Sequence, residues 1–401
     1  MRILLLTDVV LNLSEGGINQ TLYNLFSFSE PENILCVTFG KDIDTIKPDA
    51  PFTNMAFTYD FEIIAPIRNR LSKYINPFVD WFNFTYNDQF RRFKKIEQQI
   101  ALFKPDVIVS CPNGPMAVLM HKILFNKSKF SIPIIPYFMD DWMSQTNKKW
   151  LGGSVYDIVG EMLIKNKQWI MISDELCDIL KERYNTIPEK VLCARNPVDI
   201  SDAPPDAEYI KGDPFTIAYA GALWPMHFDS FYAFAKAMQS INVQLIWYGQ
   251  ESQWNWRKDE LIPVGVKYKG HIAYEDIHAT LNKADALLIT SSFTKEFYNH
   301  SKSSLQTKIT DYSKSKRLII SCGPDYSANH NFIKKNNIGI CIETSDISAI
   351  AEQVSPIVNN IDQYKKYVDS AFESLKEFSK EVVHRNLKSF LSKANGGNDD
   401  R

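Results

Sequence analysis

The sequence predicts an α/β protein made of two doubly wound domains, each built on a mostly parallel sheet. Three observations predict it. Short continuous apolar runs (RILLLTD, ENILCVTFG, PDVIVSC, IPIIPYF and WIMISD) alternate with helical patterns through the first half. Continuous rather than alternating apolarity marks strands covered on both faces. The alternation then stops at SDAPPDAEYIKGDP, which is Pro-rich, acidic and short of large apolar residues, and restarts after it. Finally, strands of the second half end in Gly221, Gly249 and Gly270, or in the small polar residues of ALLITSS. Such sheets bind ligands beyond the carboxyl ends of their strands, so these endings are the places to read most closely.

Composition narrows the functional classes. A chain of 401 residues is long enough for two domains with real cores. A formal charge of −2 lacks the basic excess of a nucleic-acid partner. The six cysteines show no CxxC spacing and several lie in apolar runs, as expected of reduced core thiols in a cytosolic protein. The first strand begins at Arg2, is too short for a secretion-signal core, and is followed by no small-residue cleavage site. No apolar run is long enough to span a bilayer. The expectation is a cytoplasmic protein, free or peripheral on the inner face of the cell membrane.

In the first half, RILLLTD leads into the loop LNLSEGG and the helix INQTLYNLFSF. Gly16 and Gly17 would let the backbone approach a phosphate or a sugar, and an ordinary turn explains them equally well. There is no GxGxxG, and the second strand ends in VTFG without an acidic residue, so no nicotinamide dinucleotide site is expected. Residues 66–104 are rich in aromatic and basic residues. Phe90, Phe93, Ile96, Ile100 and Phe103 form a helical stripe flanked by Arg91, Arg92, Lys94 and Lys95. This is either a core-packing helix with a solvated basic face or a surface for anionic lipid head groups, with Trp81, Phe82 and Phe84 at the interface. After IPIIPYF comes MDDWMSQ. Asp140 and Asp141 suit hydrogen bonding to sugar hydroxyls, and one could act as a base or stabilise developing positive charge; a helix N-cap is the alternative. ISDELCDILKERYN reads as a capped helix, and VLCARNPVDI as a strand running into a turn.

The second half reads FTIAYAG, a helix FDSFYAFAKAM, VQLIWYG, GVKYKGHI, a helix YEDIHATLNKAD, ALLITS, a helix from about 304 to 316, RLIIS and IGICIE. In the 304–316 helix, Leu305, Ile309 and Tyr312 make an apolar stripe beside a polar one of Ser304, Lys308 and Asp311. Ser303 or Ser304 would cap it, leaving first-turn N–H groups facing an anion. Residues from about 347 to 394 are helical, and the tail NGGNDDR looks disordered.

The ordered set YAGAL, LIWYGQES, VKYKGHIAYEDIHATLNKADALLITS and SLQTKITDYSKSKRLIISCG resembles the C-terminal domain of GT-B glycosyltransferases, nearest to the large retaining group called family 4-like. The GG loop, PDVIVS, the DDW after a strand and the NPVD turn extend the resemblance over nearly the whole chain. It implies two Rossmann-like domains facing a cleft. Residues 1–198 would form the acceptor-side domain, 199–213 a linker and 214–360 the donor-nucleotide domain. Helices over 361–394 would pack back toward the first domain, and 395–401 would be the tail.

It further implies a nucleotide-sugar donor held mainly by the second domain. Backbone around Gly270, His271 and Ile272 would lie near the base, and Asp311 would match the acidic residue of the family's K-x-x-E-Y segment and bind the ribose. Amides near Ser304 and Leu305 would hold the diphosphate, with Gly221 and Gly249 at the strand ends. No metal or other cofactor is expected, because the seven histidines are scattered and no ligand cluster has metal-like spacing.

Two departures stand out. The family's basic residue after the first C-domain glycine, and the lysine a few residues later, are absent from GALWPMHF, where only His227 is available. The usual acidic residue eight positions before Asp311 is Ser303. The missing charge would come from Lys302, Lys308 or Arg195. Lys308 is the candidate for the catalytic set with Asp140 and Asp141, and a surface pair with Asp311 is its alternative. His227 reads either as a surface or turn histidine or as a phosphate contact. The activity expected from the resemblance is transfer of a sugar to a glycan or lipid-linked acceptor, with retention, in surface polysaccharide assembly. A non-catalytic partner subunit and a sugar-nucleotide epimerase are the competing classes.

Overall fold

The computed structural model describes residues 1–7, 9, 17–39, 54–58, 71, 74–76, 78–79, 82, 93–114, 118, 132–145, 149–201, 203 and 211–394. The chain divides into two compact units. One comprises Met1–Asn12, Ile18–Ala194 and His384–Arg401; the other comprises Arg195–Val383 with the short stretch Leu13–Gly17.

The first unit carries β1 (Ile3–Thr7), β2 (Ile34–Phe39), β3 (Asn54–Thr58), β4 (Val107–Cys111), β5 (Ile134–Phe138), β6 (Gln168–Met171) and β7 (Lys190–Cys193). They form one parallel sheet in the order β3-β2-β1-β4-β5-β6-β7. Its described helices are α1 (Gly17–Phe26), α2 (Phe93–Phe103), α3 (Lys149–Lys165) and α4 (Asp174–Tyr184). Every residue of β1 and β4 is buried, which is why these runs are apolar save for Thr7 and Ser110 near their carboxyl ends. Ile100 of α2 packs with Leu4, Leu6, Leu35, Val37 and Ile108, and Phe103 packs against the same cluster. This part of the 66–104 stripe is therefore a core-packing helix. Phe90, Arg91, Arg92, Trp81 and Phe84 lie outside the described residues, as do the side chains of Phe93, Lys94, Lys95 and Ile96. Helix α4 is capped as expected: Ser173 Oγ accepts from Leu176 N, and Asn185 closes the other end with φ 43°.

The second unit carries β8 (Thr216–Ala220), β9 (Gln244–Tyr248), β10 (Lys267–Tyr268), β11 (Ala286–Thr290), β12 (Leu318–Cys322) and β13 (Gly339–Ile342), in the order β10-β9-β8-β11-β12-β13, again all parallel. Around it run α5 (Pro225–Ser240), α6 (Glu251–Leu261), α7 (Ile277–Leu281), α8 (Tyr298–Ser303), α9 (Lys308–Lys314), α10 (Ala328–Asn336), α11 (Ile347–Asn359) and α12 (Lys365–Ser374). Both faces of this sheet are covered. Phe231, Phe234, Met238 and Val354 pack on one, and Leu281, Leu305, Ile309, Tyr312 and Ile333 on the other. In both units the chain reverses sheet direction after the first strand, between β1 and β4 and between β8 and β11. Such switch points are where crevices open in doubly wound sheets.

A last helix, α13 (Lys380–Ala394), starts in the second unit, and from His384 onward it belongs to the first. There the His384 ring lies 5.5 Å from Phe28, and its Nε2 is 2.7 Å from the Asn24 carbonyl oxygen. Ala371, Leu375 and Phe378 are buried in the second unit's own core. The tail 395–401 and residues 202 and 204–210 of the expected linker lie outside the described residues.

Candidate functional site

The two switch points differ. Strand β8 pairs with β9 over five positions, and β11 pairs with β12 over five, but β8 and β11 share only Ile217↔Ala286 and Ala218↔Leu287. Beyond those pairs the strands part toward their carboxyl ends, and side chains take over the hydrogen bonds the ladder gives up. The Tyr312 hydroxyl accepts from Ala220 N at 2.8 Å. On the other strand the Thr290 carbonyl oxygen accepts from Gln306 Nε2 at 2.6 Å and lies 3.0 Å from His227 Nδ1. Polar side chains thereby line the crevice between the two strand ends.

Lys308 sits in this crevice. Its Nζ lies 3.7 Å over the Tyr219 ring and has no hydrogen-bond partner, and a Cβ placed on Gly221 would be 3.5 Å from it. Burial pulls the ammonium down to a pKa of about 7. Asp311, one turn along α9, is also buried; its Oδ1 has no partner, and burial lifts the carboxyl to about 7. The surface pair anticipated between Lys308 and Asp311 is therefore not what forms: both groups point into the protein and no ion pair joins them. Gln306 Oε1, two residues before Lys308 in the chain, is likewise buried without a partner.

The segment before Lys308 departs from expectation. The predicted helix from 304 begins at Lys308, and Ser303 ends the preceding helix α8. Ser304 N donates to the His300 carbonyl at 2.8 Å, and Gln306 N donates to Asn329 Oδ1 at 3.0 Å. Ser304 closes α8 in an extended conformation, long-range bonds to Asn329 and Thr290 hold Gln306, Leu305 is buried, and Thr307 caps α9 without a side-chain bond. The Ser304 amide is thus engaged within the protein rather than facing a ligand, which corrects the capped-helix expectation. Asn329 in turn donates through Nδ2 to Ser291 Oγ at 2.9 Å, so α10 braces the loop from behind.

His227 lies in the first turn of α5 and is buried, not a surface histidine. Its ring meets His300 edge-on at 5.7 Å, and burial together with Lys308 and His300 pushes its pKa well down. Of the other cations considered, Arg195 stacks on Phe332 and Phe378, with its guanidinium carbon 4.7 and 5.5 Å from the ring centroids. Lys302 lies 5.9 Å from the Tyr298 ring. Lys308 is the one set at the end of β8.

The glycines frame the crevice. Gly221 has φ +114°, donates to the Tyr248 carbonyl at 2.8 Å and accepts from Trp247 Nε1 at 3.0 Å. A Cβ on Gly249 would come within 2.5 Å of Trp247 Nε1 and 3.0 Å of the Gly221 oxygen, so that position has no room for a side chain. Gly249 N donates to the Gly270 carbonyl at 3.0 Å, and Gly270 has φ +80°. His271 beyond it is exposed, while Ile272 packs partly against the core. Gln253 of α6, which the sequence reading did not single out, accepts from Leu223 N at 2.9 Å and ties down the loop after Gly221.

In the first unit the two adjacent aspartates part company. Asp141 is fully buried and bidentate to Arg183 of α4, with both N–O distances 2.6 Å. Its charge is spent on holding the loop after β5 to α4, so the catalytic expectation for Asp141 is corrected to a structural one. Asp140 Oδ1 accepts from Trp142 N at 2.9 Å, the capping alternative, at the start of a short turn over Trp142–Gln145. Burial, reinforced by Asp141, raises the Asp140 carboxyl to about 6. Gly17 is the first residue of α1, and Gly16 lies outside the described residues. Among the described residues no cluster of His, Cys, Asp and Glu could hold a metal ion, and no helix is long and apolar enough to cross a membrane.

No family model matches the chain, and no curated protein sequence matches it significantly. Solved structures do. Anabaena HepE in complex with UDP superposes with a TM-score of 0.70 at 12% identity, over 98% of this chain and 100% of that one. Sucrose-phosphate synthase from Thermosynechococcus elongatus gives 0.73 at 12% identity, over 98% and 99%. The lipopolysaccharide outer core galactosyltransferase WaaB gives 0.64 at 14% identity, over 98% and 99%. At these identities the likeness is one of fold. With the two doubly wound sheets and the crevice at β8/β11 already described, it shows that this chain has the GT-B fold of those glycosyltransferases.

Proposed function

We propose that the protein is a glycosyltransferase that moves a sugar from a nucleoside-diphosphate donor to a glycan or lipid-linked acceptor. The observation that carries this reading is Lys308: a buried amine with no hydrogen-bond partner, at the mouth of a strand crevice in a GT-B fold. A buried amine that stays unpaired is costly, and an incoming diphosphate would supply its partner. The leaving diphosphate gains negative charge as the glycosidic bond breaks. A fixed ammonium in a dry site stabilises that charge more than water does. Lys308 thus takes the place of the basic residues that GALWPMHF lacks, which weighs against a non-catalytic partner subunit.

Asp311 is assigned the ribose hydroxyls, for which a carboxylate is the natural acceptor. Asp140, with its raised pKa, is the carboxyl proposed to act on the acceptor side. Retention at the anomeric carbon, independence of divalent metal and a role in surface polysaccharide assembly belong to the same reading. So does a cytoplasmic location at the membrane face, in keeping with the individually exposed Leu71, Tyr74, Phe78 and Leu102 (55, 65, 66 and 80% exposed) of the basic 66–104 segment.

HepE has been solved with UDP and with UDP-glucose, which makes UDP the first nucleotide to try. Thermal shift against UDP, GDP, ADP and CMP, with and without EDTA, tests the donor site. A nucleotide at a hundred times its Kd is expected to stabilise by about 2.7 kcal/mol. If none of the four moves the melting temperature, the reading fails. Release of nucleotide from matching donor sugars then tests for transfer itself.

A further inference from the structure

Helix α6 reads ESQWNWRKDEL and is polar on nearly every side, yet it carries two tryptophans with different fates. Trp254 stacks on Tyr268 at 4.9 Å with planes 6° apart and packs against the core. Trp256, two residues on and so on the opposite side of the helix, is 60% exposed. The loop after Gly221 presents a second such ring: Trp224, which precedes the first turn of α5, is 52% exposed. The two elements are joined. Gln253 of α6 holds Leu223 N, and the Arg257 guanidinium is wedged between Phe228 of α5 (3.7 Å) and Trp256 (3.9 Å). Along α5 the row continues through Tyr232, stacked on Phe228 at 5.8 Å, to Lys236, whose Nζ lies 4.7 Å over Tyr232.

Large exposed aromatics are unusual enough on a soluble surface to ask what they meet. A protein partner favours aromatic rings and Arg around a contiguous apolar centre from which Lys, Glu and Asp are depleted. Here rings and charges alternate instead: Trp256, Arg257 with Glu260 bound to it at 3.1 Å, Phe228, Tyr232, Lys236. A pyranose has the matching character, an apolar C–H face that lies on an aromatic ring and hydroxyls at its edge that bond to charged groups.

We propose that Trp224 and Trp256 form a sugar-stacking platform that holds a glycan chain beside the β8 crevice, with half-exposed Glu260 bonding its hydroxyls and Arg257, its side chain 12% exposed, holding the Trp256 ring in place. This rests on the glycosyltransferase reading, since it makes the chain being extended the occupant. The platform contributes binding and no chemistry, so it acts on capture of long glycans and leaves the nucleotide site alone.

Native gel electrophoresis through gels containing dextran, galactomannan, xylan or hydroxyethylcellulose tests it. The wild-type protein should be retarded by at least one polysaccharide. Trp224→Ala/Trp256→Ala should weaken that retention about tenfold, the equivalent of 1.4 kcal/mol. Trp224→Phe/Trp256→Phe, which keeps the rings, should restore most of it. The UDP-induced thermal shift should be the same in all three, which also shows that the variants fold. No retardation of the wild type in any gel, or equal retardation of the Ala variant, overturns the platform. So does a concentration-dependent dimer in sedimentation that the Ala variant abolishes, which would give these rings to a second copy. Absence of a thermal shift with every one of UDP, GDP, ADP and CMP in the wild type would sink the donor-site reading instead, and the gels report independently of it.

Discussion

The two halves share one sheet order and treat their buried charges in opposite ways. In the first unit the switch-point strands β1 and β4 pair over five positions, as far as Thr7↔Cys111, and the buried Asp141 is closed off by both nitrogens of Arg183. In the second unit β8 and β11 pair over two positions, and Lys308 Nζ and Asp311 Oδ1 are buried and left unmatched. A charge that is fully matched inside the chain has its work defined by the fold. A charge left unmatched in a crevice is a cost that folding alone does not explain, and it points outward to a ligand.

The largest expected effect breaks the matched pair. Asp141→Ala leaves Arg183 partly buried without its anion and should cost about 3–5 kcal/mol in urea unfolding. Lys308→Met should do the reverse. It removes an unpaired amine, leaves the urea midpoint unchanged or higher, and weakens UDP binding by about 1.5–3 kcal/mol, read by calorimetry. If Asp141→Ala proved harmless while Lys308→Met unfolded the protein, the contrast between the units would be wrong.

pH sharpens the same contrast. Burial lowers Lys308 from 10.5 to about 7, so over that window the unfolded chain binds more protons and stability rises with pH. Burial raises Asp311 from 3.8 to about 7, so between those values the folded chain holds the extra proton and stability falls as pH rises. Urea midpoints measured from pH 4 to 10 should lose the upper slope in Lys308→Met and the lower one in Asp311→Asn. Parallel curves for wild type and variants would show that neither group is as buried as described.

The smallest effect concerns the rim. Gly270→Ala should cost about 1 kcal/mol, from its positive φ alone, because nothing lies within 4 Å of the added Cβ. Gly249→Ala should cost more, because its Cβ would press on Trp247 and the Gly221 carbonyl. Thermal melts of the two variants compare them directly.

Much of the fold was legible in the residues. Runs such as ILLL in β1 and ALLI in β11 are apolar at every position because both faces of each sheet are covered, and that pattern survives without any tertiary information. Helix α6 was missed because its residues show no apolar stripe: it is anchored by Trp254 and Leu261 rather than by a face. Helix α9 starts at Lys308 rather than near Ser304 because Gln306 N is taken by Asn329, far along the chain, which local propensity does not register. Within the site, Lys308 and Asp311 were identifiable by their spacing, but their burial was not. The roles of Gln306, Asn329, Gln253 and Arg183 depend on partners between 16 and 42 positions away.

By itself the sequence determined the two parallel sheets, the order of their strands' endings and the residues that could carry charge at those endings. These follow from side-chain polarity and the period of each element, which are local properties. The tertiary structure alone decided which charges are matched. Asp140 and Asp141 are neighbours of the same type, yet one reaches Arg183 and the other caps a turn. Lys308 and Asp311 are three positions apart with opposite charge, yet they do not pair, because parting strands β8 and β11 draw the lysine onto the Tyr219 ring. Pairing depends on distance and solvent exclusion between elements far apart in the chain, and no local pattern encodes either.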